Sequence, residues 1–127
     1  MNREIKFRAW DTKDNEMYFP QVLAFGLDLK IKPLRNCKDG NNAYKHHELM
    51  QFTGLQDKNG KDIYEGDIVK HSGIICKVVY GKKGACFSLF DVRLGETDLY
   101  VITDLSAQYM EVIGNEFENP ELLTPQP

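Results

Sequence analysis

One stretch constrains the fold more than any other: Gln51-Phe52-Thr53-Gly54-Leu55-Gln56-Asp57-Lys58-Asn59-Gly60-Lys61-Asp62-Ile63-Tyr64-Glu65-Gly66-Asp67-Ile68-Val69-Lys70. It contains two turns. Asp57-Lys58-Asn59-Gly60 lies between Phe52/Leu55 and Ile63/Tyr64. Asn59-Gly60 tolerates positive φ at both positions, as a tight hairpin turn requires. Glu65-Gly66-Asp67 marks a sharper corner. There Gly66 allows close backbone approach, and the Asp67 carboxylate can accept from nearby amides. Ile68-Val69 then opens a new strand. Strand, hairpin, corner and strand is how a small barrel passes from one sheet to the next.

The flanks continue in the same style. Glu4 to Trp10 alternates, with Ile5, Phe7 and Ala9 on one side and Lys6, Arg8 and Trp10 on the other, which predicts a half-buried strand. A polar turn over residues 11–15 leads to a second strand at Met17-Tyr18-Phe19. Gln21 to Leu29 reads as strand or irregular structure. Ile31 to Tyr44, with Pro33, Gly40 and Asn41-Asn42, reads as a long mobile loop. Beyond Lys70, Ser72-Gly73 is a two-residue turn, and Gly81-Lys82-Lys83-Gly84 closes a hairpin between strands 74–80 and 85–90. A four-residue loop there sets Tyr80 opposite Ala85, Val78 opposite Phe87 and Cys76 opposite Leu89. Leu99 to Ile102 is a further strand, Leu105 to Met110 a helical turn and Glu111 to Gly114 the closing strand. Asn119-Pro120-Glu121 has the residue order of a helix start, with Asn119 as N-cap.

Three pieces carry a resemblance. They are the Phe52-to-Val69 run, Lys6-Phe7-Arg8-Ala9-Trp10-Asp11 near the start, and Glu111-Val112-Ile113-Gly114-Asn115 through Glu118-Asn119-Pro120-Glu121-Leu122-Leu123 near the end. In this order the chain closely resembles the YopX-like family of phage and prophage proteins. The resemblance implies an SH3-like β-barrel in the C-terminal part, an N-terminal extension and residence in the cytoplasm of a bacterial host. It implies no enzyme chemistry. The expected fold is therefore mainly β, with an N-terminal hairpin and loop extension over residues 1–48. The barrel, ending in a short helical turn, covers residues 49–127.

Composition excludes several classes. At 42% hydrophobic and 28% charged, the chain is that of an ordinary globular domain. Three cysteines without Cys-x-x-Cys spacing indicate neither a disulfide framework nor a zinc site, and fit a reducing compartment. The N-terminus lacks the apolar core of a signal peptide, and no apolar run approaches the roughly 18 residues of a membrane span. A net charge of −3 disfavours a nucleic-acid binder. The charge is uneven: Lys30, Lys32, Arg35, Lys38 and Lys45 crowd one segment, whereas acids dominate from Asp91 onward.

Candidate chemistry is sparse. Asp57, Asp62, Glu65 and Asp67 are four neighbouring carboxylates, yet turn formation accounts for them. Adjacent His46 and His47 on a strand point to opposite faces and cannot easily share a metal. No nucleophile elbow or phosphate-binding loop is present. No catalytic residue, metal or cofactor is expected. The informative oddity is the 74–90 hairpin. One face carries Ile74, Cys76, Val78 and Tyr80, and the other carries Ile75, Val79, Cys86 and Phe90 with Lys77 and Ser88. Both faces are apolar and both need cover, from the N-terminal segment or another subunit. The leading expectation is a non-enzymatic protein that forms a homo-oligomer through Ile75, Val79, Cys86 and Phe90, with Leu122 and Leu123 docked on the barrel or a neighbour. The alternative is an SH3-like nucleic-acid-binding or regulatory module using Lys30, Lys32, Arg35, Lys82 and Lys83. A third option, a metal-dependent hydrolase at the four carboxylates and His46/His47, is weaker.

Overall fold

The computed structural model describes residues 4–20, 22–25, 31–34, 47–81, 84–94 and 99–124. It divides into two compact units, Ile5–Gln51 and a second that begins at Phe52.

In the first unit, β1 (Phe7–Asp11) pairs antiparallel with β2 (Glu16–Tyr18) and with the amino end of β5 (His47–Gln56). The Asp11 carboxylate accepts from the backbone N–H of Lys13 (2.9 Å) and Asp14 (3.1 Å), which closes the β1–β2 turn. A separate ribbon joins β3 (Val22–Phe25) to β4 (Ile31–Leu34), with Leu23 opposite Pro33. The expected loop thus begins later than its composition suggests. Pro33 is tolerated because a two-stranded ribbon leaves one side of each strand unpaired. The remainder of that expected loop lies outside the described residues.

In the second unit, the carboxyl end of β5 pairs with β6 (Asp62–Tyr64). Five antiparallel strands follow in the order β10 (Leu99–Val101), β9 (Phe87–Asp91), β8 (Ile74–Tyr80), β7 (Asp67–His71) and β11 (Met110–Asn115). Helix α1 (Asp104–Ala107) and a 3₁₀ turn (Pro120–Leu123) complete a mainly β, barrel-like unit. Ile63, Val69, Val78 and Met110 form its fully buried centre.

The turns show how the sequence drives this path. Asp57 N–H donates to Lys61 O (2.8 Å), and Gly60 N–H to Asp57 O (3.0 Å). Only Gly60 is left-handed (φ 79°), so the turn is a right-handed one closed by a glycine bulge. The expectation of positive φ at Asn59 is corrected. The corner holds as read: Gly66 has φ 87°, and buried Asp67 accepts from Tyr64 N–H at 2.8 Å. Ser72-Gly73 forms the expected two-residue turn, with φ 52° and 78°.

The expected β8–β9 register is also corrected. The β8–β9 register sets Tyr80 opposite Phe87 and Val78 opposite Leu89. The connection spans residues 81–86, held by Gly81 N–H to Cys86 O (3.1 Å), so Ala85 and Cys86 belong to the loop. A slip of two residues keeps every strand side chain on its own face, which is why the predicted faces survive the wrong register. The expected C-terminal helix start is present, with Asn119 at the N-cap position, Pro120 first and Glu121 in the first turn, although the Asn119 side chain makes no capping bond. Its side-chain oxygen instead accepts from Asn115 N–H at 3.2 Å, because the loop after β11 folds back on that strand.

Candidate interaction surface

The sequence points to the outer face of β8 and β9. Ile75, Val79 and Phe90 are each partly buried in the single chain. The chain's own C-terminal segment lies against the same strand, as one of the two expected positions for Leu122 and Leu123 has it. The 3₁₀ turn with partly buried Leu122 and Leu123 lies beside β8. Lys77, projecting from the same outer face, meets Glu116 at 3.3 Å. Partly buried Cys86 leaves the strand for the loop, where its Sγ lies 3.9 Å from Ser88 Oγ.

Besides Tyr80 and Leu94, the exposed large apolar side chains of the unit lie along β10 and around α1. Tyr100, Val101, Leu105 and Tyr109 are exposed at 52, 47, 74 and 72%. Thr103 caps α1 reciprocally with Ser106, and Ala107 occupies the one fully inward position. A single helical turn can bury only one side, so Leu105 on α1 is left outward, as is Tyr109 in the turn that follows it. Beside them is a groove of about 300 Å³. Ile74, Cys76 and Leu89 form its apolar part, Tyr100 and Val101 its β10 wall, and His71 and Ser106 its polar rim. Burial and then the nearby Asp91 charge push the Cys76 thiol up to about 11, so it remains protonated and inert near neutral pH.

The carboxylates are structural in geometry. Asp57 accepts from Asn59, Lys61 and, across the unit, Val112 N–H, each at 2.9 Å. Burial raises its pKa, and the three amides with the Lys61 charge more than reverse this, leaving it below the ordinary carboxylate value. Asp62 accepts from the Gln56 side chain at 3.1 Å. Asp67 braces the corner, and Glu65 stands in the turn beside it. Asp91, fully buried and missed in the sequence, accepts from Arg93 N–H (2.9 Å) and from its guanidinium (3.2 Å). The Arg93 bond outweighs burial and lowers the Asp91 pKa.

In the first unit, Tyr18 Oη bonds His47 Nδ1, and His47 Nε2 stands 3.5 Å from Asp11 Oδ2. Asp11, Asp14 and Glu16 bring carboxylate oxygens within 4.8 Å of one another. The β1–β2 register sets Asp11 opposite Glu16, and the β1–β5 register sets it opposite His47. Lys30, Arg35, Lys82, Lys83 and His46 lie outside the described residues, as does the Lys32 side chain. No helix of the described residues is long and apolar enough to cross a membrane.

Comparison with known proteins gives a consistent result. A family model described as YopX protein matches residues 6–124. Protein EF1440 from Enterococcus faecalis has a similar crystal structure, with TM-score 0.60 and 26% identity over 96% of this chain and 99% of that one. Protein yopX from Bacillus subtilis is similar in fold, with TM-score 0.59 and 21% identity over 96% and 98%. Among curated proteins, none matches.

Proposed function

Because the chain belongs to the YopX protein family, we propose that it is a non-enzymatic phage or prophage accessory protein that works by self-association in the host cytoplasm. The observation that supports this reading is the apolar surface of Tyr100, Val101, Leu105 and Tyr109 beside an apolar groove. This surface is one strand away from the face the sequence favours, and the 3₁₀ turn lies beside β8 of that face. The buried carboxylates favour the same reading, since backbone amides and Arg93 already occupy them. Charge pairing between the basic 30–45 segment and the acid-rich C-terminal part would steer assembly, and salt would slow it.

Light scattering on the purified chain, at micromolar concentration and across a salt series, tests the proposal. The expected mass is a multiple of 14.6 kDa at every salt concentration. A mass of one chain at low salt overturns it.

A further inference from the structure

A second recess, of about 390 Å³, opens in the unit that begins at Phe52 and shares no lining residue with the groove beside β10. Small-molecule sites run from roughly 300 to 1,000 Å³, so the volume suits one small ligand. Leu55, Phe87 and Ile102 bring the edge of the core into it. Tyr80 stands beside Phe87, and Asp104 is the one charged residue among the described lining.

The aromatic pair follows from the register. Tyr80 is opposite Phe87 across β8 and β9, with ring centroids 4.9 Å apart and planes 58° apart. Rings tilted in this way do not use up each other's faces, and Tyr80 is 48% exposed. The face of an aromatic ring is electrostatically negative and draws a cation within about 6 Å of its centroid. The Asp104 carboxylate adds a full negative charge, and among the described residues nothing pairs with it. From Asp91 onward Arg93 is the only base, and it is paired with Asp91.

We propose that this recess binds a small organic cation whose ammonium nitrogen carries alkyl groups. Charge sets the sign of the ligand, and the walls set the alkylation. A bare ammonium brings several N–H donors and would leave water for a site with a single carboxylate. The Thr53 hydroxyl on the same wall is already engaged: it donates to Ile63 O at 2.7 Å and accepts from Leu55 N–H at 3.1 Å. An alkylated ammonium has methyl groups in place of those donors. Leu55, Ile102 and the two rings can therefore surround it at little desolvation cost, while Asp104 supplies the counter-charge. The site needs no second copy of the chain.

Choline is the probe, titrated into the full chain and followed by backbone amide chemical shifts. The expected result is saturable shifts at Leu55, Tyr80, Phe87 and Asp104. Choline should bind roughly tenfold more tightly than its neutral isostere, in which a tert-butyl group replaces the trimethylammonium. That comparison uses the unaltered protein, so it does not depend on a variant's folding. Asp104 is exposed, so Asp104→Asn should leave circular dichroism unchanged and remove most of the preference for choline. Tyr80→Leu keeps an apolar wall and should weaken choline binding severalfold while sparing the isostere. Shifts that never saturate, equal affinity for choline and its isostere, or an unchanged preference in Asp104→Asn each overturn the proposal. Ammonium chloride that binds as tightly as choline overturns it as well.

Discussion

Asp57 ties the β5–β6 turn of the second unit to β11. Its two oxygens take three backbone amides, one of them from β11. Asp57→Asn keeps the shape but loses the charge, and should cost about 1–3 kcal/mol at pH 7. Urea unfolding checks this. The folded pKa of Asp57 lies below its unfolded value, so its stabilisation is complete above the ordinary carboxylate range. It is lost as pH falls through the folded value. Asp91, lowered chiefly by Arg93, adds to stability in the same direction. Stability should therefore hold from pH 7 to about 5 and fall below about 4. The gap between wild type and Asp57→Asn should narrow there; an unchanged gap would remove charge from the explanation. At this scale the sequence was legible where a residue's use is local. Gly66 and Asp67 are in the corner that their spacing predicts. Asp91 was not legible, because its importance comes from complete burial beside Arg93, which only the folded chain creates.

Elements were read best where period and turn chemistry agree. Alternation located β1, and Ser72-Gly73 fixed the β7–β8 hairpin. The β8–β9 hairpin failed because glycines at both 81 and 84 permit more than one loop length, and period two cannot detect a slip of two. The irregularity at Gly54 (φ 89°), where Leu55 N–H turns to Thr53 Oγ1, shifts the β5–β6 register after Phe52. Gly114 raises a different point. A Cβ there would meet Asn119 Oδ1 at 2.5 Å and its Cγ at 2.7 Å. Gly114→Ala should therefore displace the loop after β11 and cost about 1–3 kcal/mol in a denaturant titration. In an Asn119→Gly background most of that loss should vanish, as coupling between touching residues requires. Equal losses in both backgrounds would locate the strain elsewhere.

For the whole molecule, the barrel-like C-terminal unit was visible in the sequence, while the exposed surface was not. A greasy hairpin signals that cover is needed without saying which segment provides it. Here the 3₁₀ turn lies beside β8, and exposure passes to β10 and α1. Leu105 in a capped one-turn helix looks like any inward leucine until Ala107 is seen to take the buried position. The account depends on that surface meeting a second copy. Sedimentation equilibrium of the full chain beside a Leu105→Asp/Tyr109→Ser variant measures it most directly. The prediction is a wild-type mass that is a multiple of 14.6 kDa and a variant of single-chain mass with unchanged circular dichroism. A wild type of single-chain mass, or a variant that associates as tightly as wild type, would contradict it.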